Sequence, residues 1–179
     1  MYTDVTISPN NDFHMQALIN KIKKSHPTLK FRVGHQFYWS PETSEIVYKD
    51  EGDDKVAVWS LLHETGHAML EHQTYKYDFE LVRLEMEAWE KAKGLAKEIH
   101  ETINEEHIQD CLDTYRDWLF RRSICPNCTA KCLQQGDIVH YRCFNCHTTW
   151  KVSSSRFCRS YRRSKNVASQ PLVHFKVSQ

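Results

Sequence analysis

His63-Glu64-Thr65-Gly66-His67 lies inside KVAVWSLLHETGHAMLEHQ, a proline-free run from Lys55 to Gln73 that reads as one helix. Residues four apart on a helix share a face, so both imidazoles project together and can grip one metal ion. Glu64 stands beside them, suited to take a proton from metal-bound water rather than to bind the metal. Zinc lowers the pKa of such a water to ~7, which makes hydroxide available at neutral pH. A chain with this motif must turn one helix face inward and complete the ligand set from elsewhere. Gly66 is the weak helix former of the run, costing ~1 kcal/mol against alanine, and calls for a local reason.

The next helical run, Asp78 to His100, offers a third ligand. At about 100° per residue from Leu81, the residues Leu84, Ala88, Ala92, Leu95 and Ile99 fall within about 60° and mark the buried stripe. Glu85, at about 40°, is inside that stripe, whereas Glu87 and Glu80 fall near 240° and 260° on the polar side. A carboxylate on a core-facing stripe is costly unless it is paired or binds a metal, so Glu85 is the expected ligand and Glu87 the fallback. His72 would stand about 140° away from His67 if the helix continued, which suits a supporting or helix-terminal role.

Before the motif, Met15 to Lys24 reads as a short amphipathic helix with Met15, Leu18, Ile19 and Ile22 on one face. LKFRV, HQFYWS and EIVYK, with Pro41 to Ser44 as a turn, suggest a small antiparallel sheet. Glu45–Lys49 is the expected edge, where an extended substrate could add as a strand. Asp50 to Asp54 supplies a turn and an N-cap. A third helix is expected from about Asn104 to Arg122, and the composition changes at Ser123. An oxyanion stabiliser is also required for hydrolysis; Tyr75, Tyr77, His35 and His72 are all open to that role.

Cys125-Pro-Asn-Cys128 and Cys143-Phe-Asn-Cys146 are separated by fourteen residues. Each C-x-x-C turn presents two thiolates, and two turns complete a tetrahedral zinc site. So short a segment lacks an apolar core of its own, and the metal supplies most of its stability. Cys132 and Cys158 lie off this spacing and are expected as free thiols. Seven cysteines, an odd number, suit a reducing compartment better than a disulfide framework.

These segments give an α+β chain: a minimal zincin-like domain over 1–122, a small zinc ribbon over 123–152 and a basic tail over 153–179. After Trp150 come seven of the 24 Lys and Arg but none of the 23 Asp and Glu. The tail RFCRSYRRSK interleaves aromatic and basic residues, so nucleic acid is a partner to consider beside a protein or peptide substrate. No apolar run reaches the ~18–20 residues that span a bilayer, which argues against a membrane partner. The N-terminal MYTDVTISPNNDF lacks the basic and apolar regions of a signal peptide, and a cytoplasmic location is expected.

HETGHAMLEH followed by EMEAWEKA resembles the core of the ImmA/IrrE-type metallopeptidases, over roughly residues 30–95. The resemblance implies a gluzincin-like zinc peptidase in which His63, His67 and Glu85 hold the catalytic zinc and Glu64 is the general base. The chain departs from that family in lacking its leucine-rich Met-Pro segment and its N-terminal helix-turn-helix, which leaves regulator cleavage outside the expectation. SprT-like proteases, which act near DNA, also join H-E-x-x-H to a zinc ribbon. Their third ligand is a histidine followed by glycine, and no His-Gly pair occurs here. A non-enzymatic adaptor acting through the ribbon is the remaining alternative, but it has no use for Glu64.

Overall fold

The computed structural model describes residues 12–50 and 54–152; the basic tail and Cys158 lie outside the described residues. The chain is α+β, with four helices and two small sheets among the described residues. The described residues divide into two compact units, the first comprising 12–50, 54–74 and 83–108 and the second 75–82 and 109–152.

In the first unit, α1 (Asp12–Ser25) buries Met15, Leu18, Ile19 and Ile22, the face its apolar spacing marks. Strands β1 (Lys30–Val33), β2 (Tyr38–Ser40) and β3 (Glu45–Tyr48) form a sheet in the order β1-β3-β2. β3 runs parallel to β1 and antiparallel to β2, with Trp39 opposite Ile46. This corrects the expected sheet: it is mixed, and Glu45–Lys49 is its centre rather than its edge. The physical reason is burial. Ile46, Val47 and Tyr48 are all enclosed, which only a strand flanked on both sides sustains, whereas Lys30 and Tyr38 are exposed.

Helix α2 (Lys55–Met69) starts at Asp54, whose carboxylate accepts the Ala57 N–H at 2.7 Å. It packs under β2 and β3 and buries Leu61 and Leu62 completely. It ends at Met69, four residues short of the run expected from sequence. Glu71 then adopts a left-handed conformation, φ 51°, which reverses the chain. Helix α3 (Asp78–Glu98) buries Ala88, Ala92, Leu95 and Ala96. Gly66 explains itself against this helix: a Cβ there would lie 2.4 Å from the Ala88 carbonyl oxygen, so only glycine lets the two backbones approach this closely.

In the second unit, α4 (Glu105–Ser123), most of which belongs here, leads to β4 (Leu133–Gln134), β5 (His140–Arg142) and β6 (Thr149–Lys151), an antiparallel meander. Its small core is Cys125, Cys132, Tyr141 and Cys143, with Trp150 and Val152 packed against them. A buried polar knot lies alongside. The Asp78 carboxylate accepts from Arg122 Nε at 2.6 Å, Arg122 Nη2 at 3.2 Å and the Tyr141 hydroxyl at 2.7 Å. The Trp118 ring covers the guanidinium at 4.5 Å. Among the described residues no helix is long and apolar enough to cross a membrane.

Candidate metal centres

His63 and His67 leave α2 on one face, as their spacing requires, and Glu85 meets them from α3. Glu85 Oε2 is 3.0 Å from His63 Nε2, Glu85 Oε1 is 3.6 Å from His67 Nε2, and the two Nε2 atoms are 3.2 Å apart. His63 and Glu85 are buried, at 8% and 7% exposure. Two imidazole lone pairs and a carboxylate converging in an enclosed space need a proton or a cation between them. Ligands ~2.0–2.1 Å from a tetrahedral ion stand about 3.3–3.4 Å apart, inside the 3.0–3.6 Å span of these separations, in which each imidazole meets a different Glu85 oxygen. The donor set therefore fits a divalent metal, and these three residues could hold one.

The electrostatics agree. Burial pushes the Glu85 carboxyl up, but hydrogen bonds and charge from His63 and His67 reverse this and bring it to about 2. Burial likewise pulls His67 down, and the hydrogen bond and charge of Glu85, helped by Glu64, carry it above its ordinary value. The site is built for an anionic Glu85 facing positive charge.

Glu64 points from the same helix to β2, where its Oε2 accepts the Trp39 backbone N–H at 2.8 Å. The outer edge of the sheet therefore faces the carboxylate next to the ligands. Glu87 is on the other side of α3, 44% exposed, and pairs with His72 at 3.4 Å and Arg83 at 3.7 Å. His72 is not turned away from the site. Because the helix ends before it, the chain folds back and puts His72 Nδ1 2.8 Å from His67 Nδ1. Of the other side chains considered for the oxyanion, His35 is exposed and Tyr77 stacks on Phe79 at 5.9 Å. Periodicity did not single out Trp89, which stacks on His63 at 4.2 Å and walls the ligand from solvent. Its position one residue past Ala88 on the buried stripe was the available signal.

The second centre is the cysteine cluster. Cys125 Sγ lies 3.5 Å from Cys146 Sγ, and Cys128 Sγ 3.4 Å from Cys143 Sγ. These separations far exceed the ~2.05 Å of a disulfide and approach the roughly 3.8 Å edge of a tetrahedral thiolate site. All four sulfurs lie within 4.8 Å of one another, so they too could hold a metal ion. The N–H groups of Asn145 and Cys146 both point at Cys143 Sγ at 3.4 Å and pull its pKa below the usual thiol range. Thr148 brings Cys146 down to about 5, so part of the thiolate charge is stabilised before any metal binds. Cys132 is buried nearby, with its thiol on the Ala130 carbonyl at 3.2 Å.

Compared with family models, curated proteins and solved structures, the chain matches none.

Proposed function

We propose that the chain is a zinc-dependent metallopeptidase of the gluzincin kind, with a second zinc that is purely structural. The observation that carries this reading is the convergence of His63, His67 and Glu85 at tetrahedral spacing, with the Glu64 carboxylate on the adjacent edge strand. A sheet packed on the H-E-x-x-H helix, with a glutamate ligand from the following helix, is the arrangement a minimal zincin uses. A carboxylate as third ligand favours this over an SprT-like centre.

Held by His63, His67 and Glu85, zinc would polarise the scissile carbonyl and supply a water acidic enough to attack it. Glu64 is placed to act as the base there, and would accept a proton from such a water and pass it to the leaving amine. Trp39 N–H holds the Glu64 carboxylate in place beside the metal ligands. A peptide adding along β2 would run past Glu64 with its backbone hydrogen-bonded to the strand edge; β2, not β3, is the docking strand. In the ribbon, Cys125, Cys128, Cys143 and Cys146 use all four positions, which leaves none for substrate.

The test is cleavage profiling of a mixed peptide library by the zinc-loaded full chain, with Glu64→Gln as control. Cleavage by the parent and not by the variant supports the reading. Equal cleavage by both, or by neither, overturns it.

A further inference from the structure

Behind His67, on the side away from Glu85, stands a second row of polar groups. We infer that His72 and Glu87 form a positioning relay that orients His67 and keeps its Nε2 free for metal; this rests on the first metal centre proposed above.

The inference follows from counting protons. His67 turns Nε2 toward His63 and Glu85, so its proton belongs on Nδ1 when Nε2 binds a metal. That Nδ1 lies 2.8 Å from Nδ1 of His72, and two like nitrogens at this distance require one donor and one acceptor. His67 must donate and His72 accept. His72 then carries its own proton on Nε2, which faces Glu87 Oε2 at 3.4 Å. With both imidazoles neutral the chain runs in one direction, from ligand to carboxylate, and the metal-binding tautomer of His67 satisfies it. A ligand whose remote N–H is captured in this way gains basicity and loses rotational freedom.

The backbone is shaped to hold the relay. Glu71 takes the left-handed conformation, which a residue with a Cβ adopts rarely, and this turn delivers His72 to His67. The His72 N–H then donates to the His67 carbonyl at 3.1 Å, and Trp39 Nε1 donates to the His72 carbonyl at 2.8 Å. His72 is thus clamped from both sides and only 8% exposed. Arg83 steadies Glu87 from one turn earlier. His72 is not itself a ligand, since it meets His67 at Nδ1, opposite the nitrogen that faces Glu85.

The experiment titrates the full chain with Co²⁺, whose thiolate charge-transfer bands report the cysteine site separately from the histidine site. A parent that binds only at the cysteines removes the metal centre and the peptidase reading with it. Given parent binding at both sites, His72→Ala should weaken the histidine site 10–100-fold and leave the thiolate bands unchanged. His72→Asn, which returns an acceptor oxygen near the lost Nδ1, should recover most of that affinity. Glu87→Ala should weaken it in the same direction by less. A purely structural role for His72 would not move the tautomer, so ¹⁵N spectra of the Zn²⁺-loaded parent should show His67 protonated at Nδ1 and His72 at Nε2. Parent-like affinity in His72→Ala, or His72 protonated at Nδ1 in the parent, overturns the relay. If circular dichroism shows that His72→Ala does not fold, Glu87→Ala and the parent's tautomers decide it.

Discussion

The backbone N–H of Trp39 donates to the Glu64 carboxylate at 2.8 Å, tying the outer strand of the sheet to the residue next to the first metal ligand. That bond has two consequences. It limits the rotation of Glu64, and it brings the edge of β2 beside the carboxylate of the candidate metal centre.

Glu64→Gln should therefore retain the fold and both metals, because an amide oxygen can still accept from Trp39. Hydrolysis should fall by ~10²–10⁴, the usual cost of losing a general base. Metal analysis and turnover on one preparation check this together. Loss of metal along with activity would mean that Glu64 binds or supports the ion rather than acting as a base.

Gly66 and Gly94 offer a contrast within one unit. At Gly66 a Cβ would strike the Ala88 carbonyl oxygen at 2.4 Å, whereas at Gly94 nothing lies within 4 Å. Gly94→Ala should stabilise the protein by ~0.4–1 kcal/mol through helix propensity alone. Gly66→Ala should destabilise it by ~1–3 kcal/mol, since backbone cannot rotate aside. Ala88 is one turn beyond Glu85, so pushing α3 outward should also weaken first-site metal binding. Denaturant midpoints and a metal titration separate the two effects, and a stabilising Gly66→Ala would contradict the close approach.

How much of this was legible in the sequence follows from the range of each interaction. Glu85 could be placed because a helix repeats locally, and Leu81, Ala88 and Ala92 marked the buried stripe around it. The cysteine cluster could be placed because each C-x-x-C turn is complete within four residues. The order of the sheet could not, since β1 pairs with β3 across an intervening strand and nothing local records that choice. The supporting place of His72 was legible but its direction was not, because the angular estimate assumed a continuous helix and the chain leaves the helix at Leu70. The Asp78–Arg122 pair joins residues that read separately as a helix start and a helix end, 44 positions apart.

That pair yields a stability prediction. Asp78 is 3% exposed and neutralises Arg122, itself 7% exposed, while accepting the Tyr141 hydroxyl. Asp78→Ala should cost ~3–5 kcal/mol because it breaks a buried ion pair and removes the acceptor of the Tyr141 hydroxyl. Asp78→Asn keeps an acceptor for Tyr141 and should cost less. Thermal or chemical unfolding of the full chain measures both, and near-neutral values would show that water reaches Arg122.

The cysteine cluster predicts a separable metal. The purified chain should carry about two zinc ions, and Cys125→Ser with Cys143→Ser should remove one of them. The remaining ion should report histidine and carboxylate ligands by X-ray absorption. An unchanged stoichiometry in that double variant would rule out the thiolate site.

Glu85 and Glu87 stand two residues apart on α3 yet should behave differently, and the comparison tests the ligand assignment most directly. Glu85 is buried between both Nε2 atoms and is held ionised there, whereas Glu87 reaches solvent and pairs with His72 and Arg83. Glu85→Ala removes one of three protein ligands, so the first site should empty while the cysteine site stays filled and the stoichiometry drops from about two to about one. Glu85→Gln keeps an oxygen donor without its charge and should fall between the parent and Glu85→Ala. Glu87→Ala leaves all three ligands in place and should retain both ions, with a first-site affinity lowered only through His72. Equilibrium dialysis against zinc, followed by elemental analysis, orders the three variants. Should Glu87→Ala empty the site while Glu85→Ala keeps it filled, the third ligand would be Glu87, and the gluzincin assignment would fall.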